Sequence, residues 1–250
     1  AMLTPLILRS SALITEPDED EKAALEELKG WDYSMDASLI APSLFEIIRI
    51  ELARHIMHDE LTDLYGSANG RQHDFYIYRM VSEGPDEWVD NISTPRQETM
   101  EEIIAMSIRS AVDTLTTRYG KYGETWQWGR IHTLTLEHPL GSVKILDRLL
   151  GLNSKTYAVG GSYHTVEPYT YRETFQANNG ASERHIFNTA DWDKSLTVIP
   201  TGTSGIPGSP FYLSQTETYV NNGFYNDPFT EGAVEAAKKY EMIFKPTVAK

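Results

Sequence analysis

Several groups of residues along this 250-residue chain have types and spacings that chemistry can use. The first is the loop Gly202-Thr203-Ser204-Gly205, continued by Ile206-Pro207-Gly208. A glycine-rich turn can cradle phosphate, but the spaced glycines and terminal Lys-Ser/Thr that hold a triphosphate are missing here. Nor does Ser204 sit in a nucleophile elbow, which needs glycine on both sides at two-residue spacing, whereas position 206 is isoleucine. Spacing alone reads the loop as a tight strand-to-helix connection. His55 and His58, with Glu51, Asp59 and Asp63 around them, have metal-ligand chemistry, but no third ligand follows at zincin spacing. A solvated polar helix face is the expectation. Trp126, Trp128, His132 and His138 form an aromatic and imidazole cluster whose default is core packing with hydrogen-bonded ring nitrogens, the alternative being a pocket lining. His164 and His185 have no serine partner that spacing identifies.

The elements that must position these groups come in two textures. From about residue 17 to residue 119 the periodicity is helical. Met100, Ile103, Ile104, Ile108, Ala111, Val112 and Leu115 fall on one stripe, with Thr94, Pro95 and Gln97 as the expected cap and first turn and Gly120 as the stop. Leu44, Ile48, Leu52 and Ile56 repeat every four residues and predict a helix from about Asp36 to Tyr65, broken by Gly66. A shorter helix is expected from Glu19 to Leu28, ending at Gly30. Beyond Gly120 the segments Thr156 to Val159, Tyr169 to Phe175, Arg184 to Thr189 and Leu196 to Ile199 have the composition of strands. Tyr169, Tyr171, Glu173 and Phe175 alternate onto one face. Helices are expected at Ser209 to Asn221 and Thr230 to Lys239, then a strand at Glu241 to Phe244. The order predicts an α+β fold: a helical N-terminal part, then a mostly antiparallel sheet with packed helices. Residues 3–120 are expected as a mainly helical region and 121–250 as a strand-rich one, packed together; Ala1 and Met2 read as a cloning remnant.

A formal charge of −14 argues against nucleic acid, which needs a positive patch to displace counterions. The run Glu16, Asp18, Glu19, Asp20 and Glu21 is expected as a solvated first helical turn that complements the helix dipole. The absence of cysteine removes disulfides, zinc–thiolate sites and a cysteine nucleophile. No apolar run approaches the ~20 residues of a membrane-spanning helix.

Arg184 to Thr189, Ser195-Leu-Thr-Val-Ile-Pro200, Gly202 to Gly205, Ser209-Pro210 and Gln215 to Tyr219 together resemble the penicillin amidase family of N-terminal-nucleophile hydrolases. The resemblance is to the C-terminal half of that family's large chain, where a strand, a turn, a second strand ending in Gly-x-Ser-Gly, and a helix opened by Ser-Pro follow one another. Leu28-Lys-Gly-Trp-Asp32, Leu115 to Gly120, and Trp128-Gly129 with His132 are similar to the family upstream. The likeness extends from about Ala24 to Pro246 and is specific from Gly180 to Tyr219.

The resemblance implies part of an αββα core and a parent enzyme that hydrolyses linear amides through an N-terminal serine. The residue heading this chain is Ala1, so no catalytic residue is expected within it, and the nucleophile and oxyanion groups are expected before residue 1. Thr203, Ser204, Gly205, Trp128, His132 and Asn188 are the candidates for a share of the acyl pocket; several relatives carry Asp or Glu at the position of Asn188. No cofactor or metal is expected in this chain; the resemblance allows calcium in the complete enzyme, on ligands upstream. The implied partners are the remaining part of the same precursor, its small chain and the N-terminal half of its large chain, and a small N-acyl substrate in the complete enzyme. Nucleic acid and a membrane span are not expected. The implied location is exported or periplasmic, in a bacterium. Two competing readings are a free-standing binding module and a self-contained hydrolase using Ser204 and His185.

Overall fold

The computed structural model describes residues 2–67, 70–85, 87–171 and 174–246. The fold is α+β, and the chain divides into two compact units, residues 1–134 with 158–178, and residues 135–157 with 179–250.

The first unit is built on helices α1 Thr4–Ser10, α2 Glu19–Gly30, α3 Ala41–Leu61, α4 Gly70–Glu83, α5 Met100–Tyr119 and the single turn α6 Trp128–Ile131. α3 packs chiefly on α5. The two stripes that the sequence predicts meet there: Leu44, Ile48, Leu52 and Ile56 are fully buried, as are Ile103, Ile104, Ile108, Ala111 and Leu115. Each such leucine or isoleucine contributes about 1.5–3 kcal/mol of burial. Trp126, Trp128, Tyr171 and Phe175 extend the same core.

The helix ends differ from expectation in instructive ways. α3 starts at Ala41, with Pro42 in its first turn, because Asp36 closes an Asx turn on Ser38 (Ser38 N to Asp36 Oδ1, 2.7 Å). It ends at Thr62, whose φ is 47°, before Gly66 is reached. The cap of α5 is Thr99 rather than Thr94. Thr99 and Glu102 make a reciprocal capping box immediately before the apolar stripe begins. Thr94 instead donates to Glu98 Oε1 (2.8 Å) in the preceding loop. Arg96, then the Thr99 backbone and side chain, hold the Glu102 carboxyl down at about 2. Gly120 caps the other end, as expected, with φ 85°.

A four-stranded sheet has the order β2 (Tyr157–Ala158), β1 (Thr133–Leu134), β4 (Ala177–Gly180), β3 (Tyr169–Tyr171); β1 and β4 run parallel, with Leu134 opposite Ala177. The strand expected over Tyr169 to Phe175 stops at Tyr171, and Phe175 has a left-handed φ of 59°; Glu173 lies outside the described residues.

The second unit holds α7 Lys144–Leu150 and a three-stranded antiparallel sheet in the order β5 (Arg184–Ile186), β6 (Leu196–Val198), β7 (Tyr225–Asn226). His185 sits opposite Thr197, and Thr197 opposite Tyr225. The helix expected from Ser209 to Asn221 is only α8 Thr216–Val220. Ser209 to Leu213 form turns instead, because Ser209 Oγ accepts from Phe211 N (3.2 Å) and Phe211 O is drawn back onto Ser204 N (3.1 Å). α9 is Glu231–Ala237, and Glu241 to Phe244 form no strand. A strand needs a ladder partner, and these residues are exposed.

Candidate functional site

In the second unit the Gly202 to Gly205 loop is shaped by a close backbone approach. A Cβ on Gly202 would lie 2.0 Å from the Phe211 carbonyl oxygen, so only glycine lets that carbonyl reach Ser204 N. Thr203 and Gly205 are exposed; Ser204 is half-buried, and its Oγ accepts from Ile206 N (3.1 Å). Asn188 is half-buried too. Its Oδ1 accepts from Ala190 N (3.1 Å) and Asp191 N (3.2 Å), and its own N donates to Ser195 Oγ (3.2 Å). It therefore closes a turn, an acceptor role that aspartate also fills. The His185 ring stacks on Phe187 at 4.0 Å and lies between Glu183 (3.3 Å) and Asp227 (3.0 Å).

The first unit brings Trp128 and His132 together, Trp128 opening α6 and His132 capping its C-terminal end. Both are fully buried, and their rings stack at 4.5 Å and 16°. His132 Nδ1 donates to the Phe175 carbonyl (2.7 Å), which fixes the tautomer, and its Nε2 has no hydrogen-bond partner among the described residues. Burial pushes this imidazole below its ordinary value, against the pull of the Phe175 carbonyl and the Glu46 charge. The default of core packing fits these rings.

A second constellation in this unit has no counterpart among the sequence candidates. Glu46 and Arg49 sit one turn apart on α3 and are buried with Asp74 of α4. Arg49 donates to Glu46 through Nε (3.0 Å) and Nη2 (2.8 Å), to the Tyr171 hydroxyl (3.1 Å), and to Asp74 through Nη1. Tyr171 in turn donates to Glu46 Oε2 (2.6 Å), and Ser162 Oγ to Glu46 Oε1. His164, half exposed at the edge, meets Asp74 Oδ2 at 2.9 Å. Burial alone would raise the Glu46 carboxyl, but the Arg49 charge with the Ser162, Tyr171 and Arg49 hydrogen bonds outweighs it and holds the group below the ordinary carboxylate value. Burial, then the Glu46 charge, pushes the Tyr171 phenol well above its ordinary value. The network is a fixed charge cluster that clamps α3, α4 and β3 together. Its signal in the sequence is Glu46-x-x-Arg49 inside an otherwise apolar run; Asp74 carries none.

His55 Nε2 lies 3.0 Å from Ser110 Oγ across α3 and α5, and burial with the Arg54 charge lowers its pKa. A hydroxyl in mid-helix has the neighbouring backbone N–H groups committed to the helix, so no oxyanion donors stand beside it; the contact is an interhelical hydrogen bond. Among the described residues no group of three or more histidines and carboxylates is placed to hold a metal ion, His58 included. A cleft of about 520 Å³ is lined by Glu26, Glu27, Trp31, Asp32 and Tyr122. Tyr122 donates to Glu27, and burial with that partner pushes its phenol up to about 12.

Near the end of α3 burial, then Asp59, pushes the Glu60 carboxyl up to about 7. The folded state therefore binds a proton that the unfolded chain, with a glutamate pKa of ~4.3, releases first. Stability from this group is present below about 4 and is lost as pH rises through about 7. Glu60→Gln should thus gain on the parent protein between pH 4.5 and pH 8 in urea unfolding. Parallel curves would show that Glu60 titrates as a free carboxyl.

The family model for penicillin amidases matches residues 1–236. The acyl-homoserine lactone acylase QuiP of Pseudomonas syringae pv. tomato is 26% identical over 245 residues, 92% of this chain and 29% of its own length. Its namesake in Pseudomonas aeruginosa is 24% identical over 253 residues, 91% of this chain and 29% of its own length. The penicillin acylase 2 proenzyme of Pseudomonas sp. SE83 is 25% identical over 207 residues, covering 76% and 24%. The chain thus spans less than a third of the length of these curated relatives. A thermostable penicillin G acylase from Alcaligenes faecalis shares its fold at a TM-score of 0.52 and 17% identity, over 99% of this chain and 46% of that one.

Proposed function

Because this chain belongs to the penicillin amidase family, we propose that it is a structural portion of a larger hydrolase that cleaves the amide bond of small N-acyl compounds. The attacking serine and its oxyanion donors are then supplied by a segment outside these 250 residues. In that chemistry the serine oxygen adds to the acyl carbonyl, the amine leaves with a proton, and water frees the acid from the acyl-enzyme. Calcium, where the complete enzyme holds it, takes its ligands from that other segment as well. Export to the periplasm belongs to the same reading; among the described residues no helix is long and apolar enough to cross a membrane.

The observation that carries the proposal is the match itself: nearly the whole chain aligns within the family, yet it spans only 24–29% of its relatives' length. The surface of the second unit supports a shared structure over a free-standing module. Ile186, Phe187, Trp192 and Phe229 are exposed on or beside the small sheet, with the ring pairs Phe187–Trp192 at 6.3 Å and Trp192–Phe229 at 5.5 Å. Apolar surface of this kind beside edge strands favours a partner segment. Ser204 and His185 are each engaged locally, which weighs against a self-contained hydrolase. The relatives act by name on acyl-homoserine lactones and penicillins, so both classes head the substrate panel.

The 250-residue chain and the complete polypeptide should be assayed side by side on chromogenic acyl amides, an N-acyl homoserine lactone and a penicillin. The expected result is turnover by the complete protein and none by the 250-residue chain. Heat-labile turnover by the short chain alone would overturn the reading.

A further inference from the structure

Residues 140–150 leave their large apolar side chains in solvent, and α7 buries none of its residues. Ile145 and Leu149, four apart on α7, are 72% and 74% exposed, and Leu140, Val143 and Leu150 beside them are also exposed. One polar side chain of the same stretch, Asp147, is built into a tight frame with Asn153 and the His138 to Gly141 turn. Asp147 accepts from Asn153 N (2.8 Å) and Asn153 Nδ2 (3.1 Å). Asn153 Nδ2 also donates to Gly141 O (3.1 Å), and its Oδ1 accepts from His138 N (2.9 Å). A Cβ on Gly141 would fall 1.9 Å from that Oδ1, so glycine is required for the approach. Gly151, at φ 60°, caps α7 through a bond to Asp147 O (2.8 Å), and Tyr212 holds the next residue by donating to the Leu152 carbonyl (2.6 Å). Every polar group named here is spent on fixing the backbone that holds the leucines outward. A floppy loop has no need of such a frame; a preformed contact surface does.

We propose that this apolar face is a docking surface for another segment of the same polypeptide, lying outside residues 1–250. The inference rests on the reading of the chain as a portion of a larger hydrolase, and it names the surface through which the portion is held. The occupant follows from three observations. The curated relatives are more than three times as long as the stretch they share with this chain, and the superposition with penicillin G acylase covers 46% of that chain. Ample polypeptide is therefore available. The rim of the patch is basic, Lys144 and Arg148 standing four apart and exposed on a chain of charge −14, which suits an apolar surface bordered by carboxylates. The preformed geometry matches a partner that is always present, because no ordering remains to be done on docking.

These 250 residues contain no cysteine, so an introduced one is the single thiol of the short chain. Leu149→Cys and, independently, Ile145→Cys are introduced into both the 250-residue chain and the complete polypeptide. Maleimide labelling is followed by peptide mass, each rate being referred to the same protein in denaturant. In the short chain both positions should label within about threefold of the denatured rate; in the complete polypeptide they should label about 100-fold slower, since reaction then waits on local opening. A photo-crosslinker carried on the Leu149→Cys variant should join residues 140–150 to a peptide from outside residues 1–250. Equal rates in the two proteins overturn the proposal, as does a cross-link to a second copy or to a residue within 1–250, or protection that appears only with anionic lipid vesicles. Amide hydrolysis by the short chain sinks the functional reading by a different readout, whereas unprotected labelling with an inactive short chain sinks the docking surface alone.

Discussion

Replacing Arg49 with leucine should destabilise the protein by about 3–5 kcal/mol, the usual cost of removing one partner from a buried ion network. Arg49 supplies the positive charge between the Glu46 and Asp74 carboxylates, and all three side chains are buried. Without it, two carboxylates remain in a site that cannot hydrate them. The pH dependence should change sign with the substitution. In the parent protein the Glu46 carboxyl is held below its ordinary value, so its contribution is present above the unfolded carboxylate range and is lost as pH falls through the depressed value. In Arg49→Leu the raising effect of burial is left unopposed. The deficit relative to the parent should then shrink as the pH is lowered from 7 to about 5, as the stranded Glu46 carboxyl takes up a proton. Urea unfolding at the two pH values measures both effects. A cost below about 1 kcal/mol, or a deficit that grows toward acid, would show that the network is hydrated.

Trp128→Ala should cost about 3–5 kcal/mol, the range for deleting a buried tryptophan. The ring is fully buried, lies flat on His132, and meets Tyr171 and Phe175 edge-on at 5.9 Å each. Its indole N–H donates to the Gly161 carbonyl (2.8 Å), and Gly161 has little freedom to adjust. At φ 71°, with a Cβ position 2.0 Å from the Glu167 carbonyl, it is fixed by its own turn. Trp128→Phe keeps most of the stack and loses the hydrogen bond, so it should cost about 1–3 kcal/mol. Chemical unfolding of the two variants separates the contributions. Equal, small losses would mean that the site collapses around the vacancy and that the indole is dispensable.

How much of this was legible in the sequence depended on the range of the interaction. The facing stripes of α3 and α5 were readable because a buried helix face repeats every three to four residues over five turns. Leu44 to Ile56 and Ile103 to Leu115 emerge as the core that their spacing predicts. The stop at Gly120 was readable for the same local reason. The strands have two to four residues, fewer than a pattern of period two needs to define its limits: β2, β3, β5 and β6 were placed with their lengths overstated, whereas β1, β4 and β7 were missed and the strand expected at Glu241 to Phe244 does not form. The helix expected from Ser209 lost its first half to the Phe211 carbonyl, which Gly202 draws across a gap of nine residues. The charge network was invisible because its members come from Glu46, Asp74, Ser162 and Tyr171, and no local rule joins them. Only the polar pair inside the apolar face of α3 hinted at it. Trp128 and His132 were visible as a pair, and the structure adds that they are enclosed.

The discontinuity of the first unit sets an order of events on the ribosome. Glu46 and Tyr171 are 125 residues apart in the chain and bond directly. At ~5–20 residues per second, the hydroxyl that satisfies Glu46 leaves the ribosome roughly 6–25 s after the carboxylate it serves. During that interval Glu46 and Arg49 on α3 have each other and Asp74 of α4, but the two hydroxyl donors to the Glu46 carboxylate are missing. Until Ser162 and Tyr171 emerge, the Glu46 carboxylate has the Arg49 guanidinium alone as its donor, and the buried cluster is complete only when nearly seven-tenths of these 250 residues have been made.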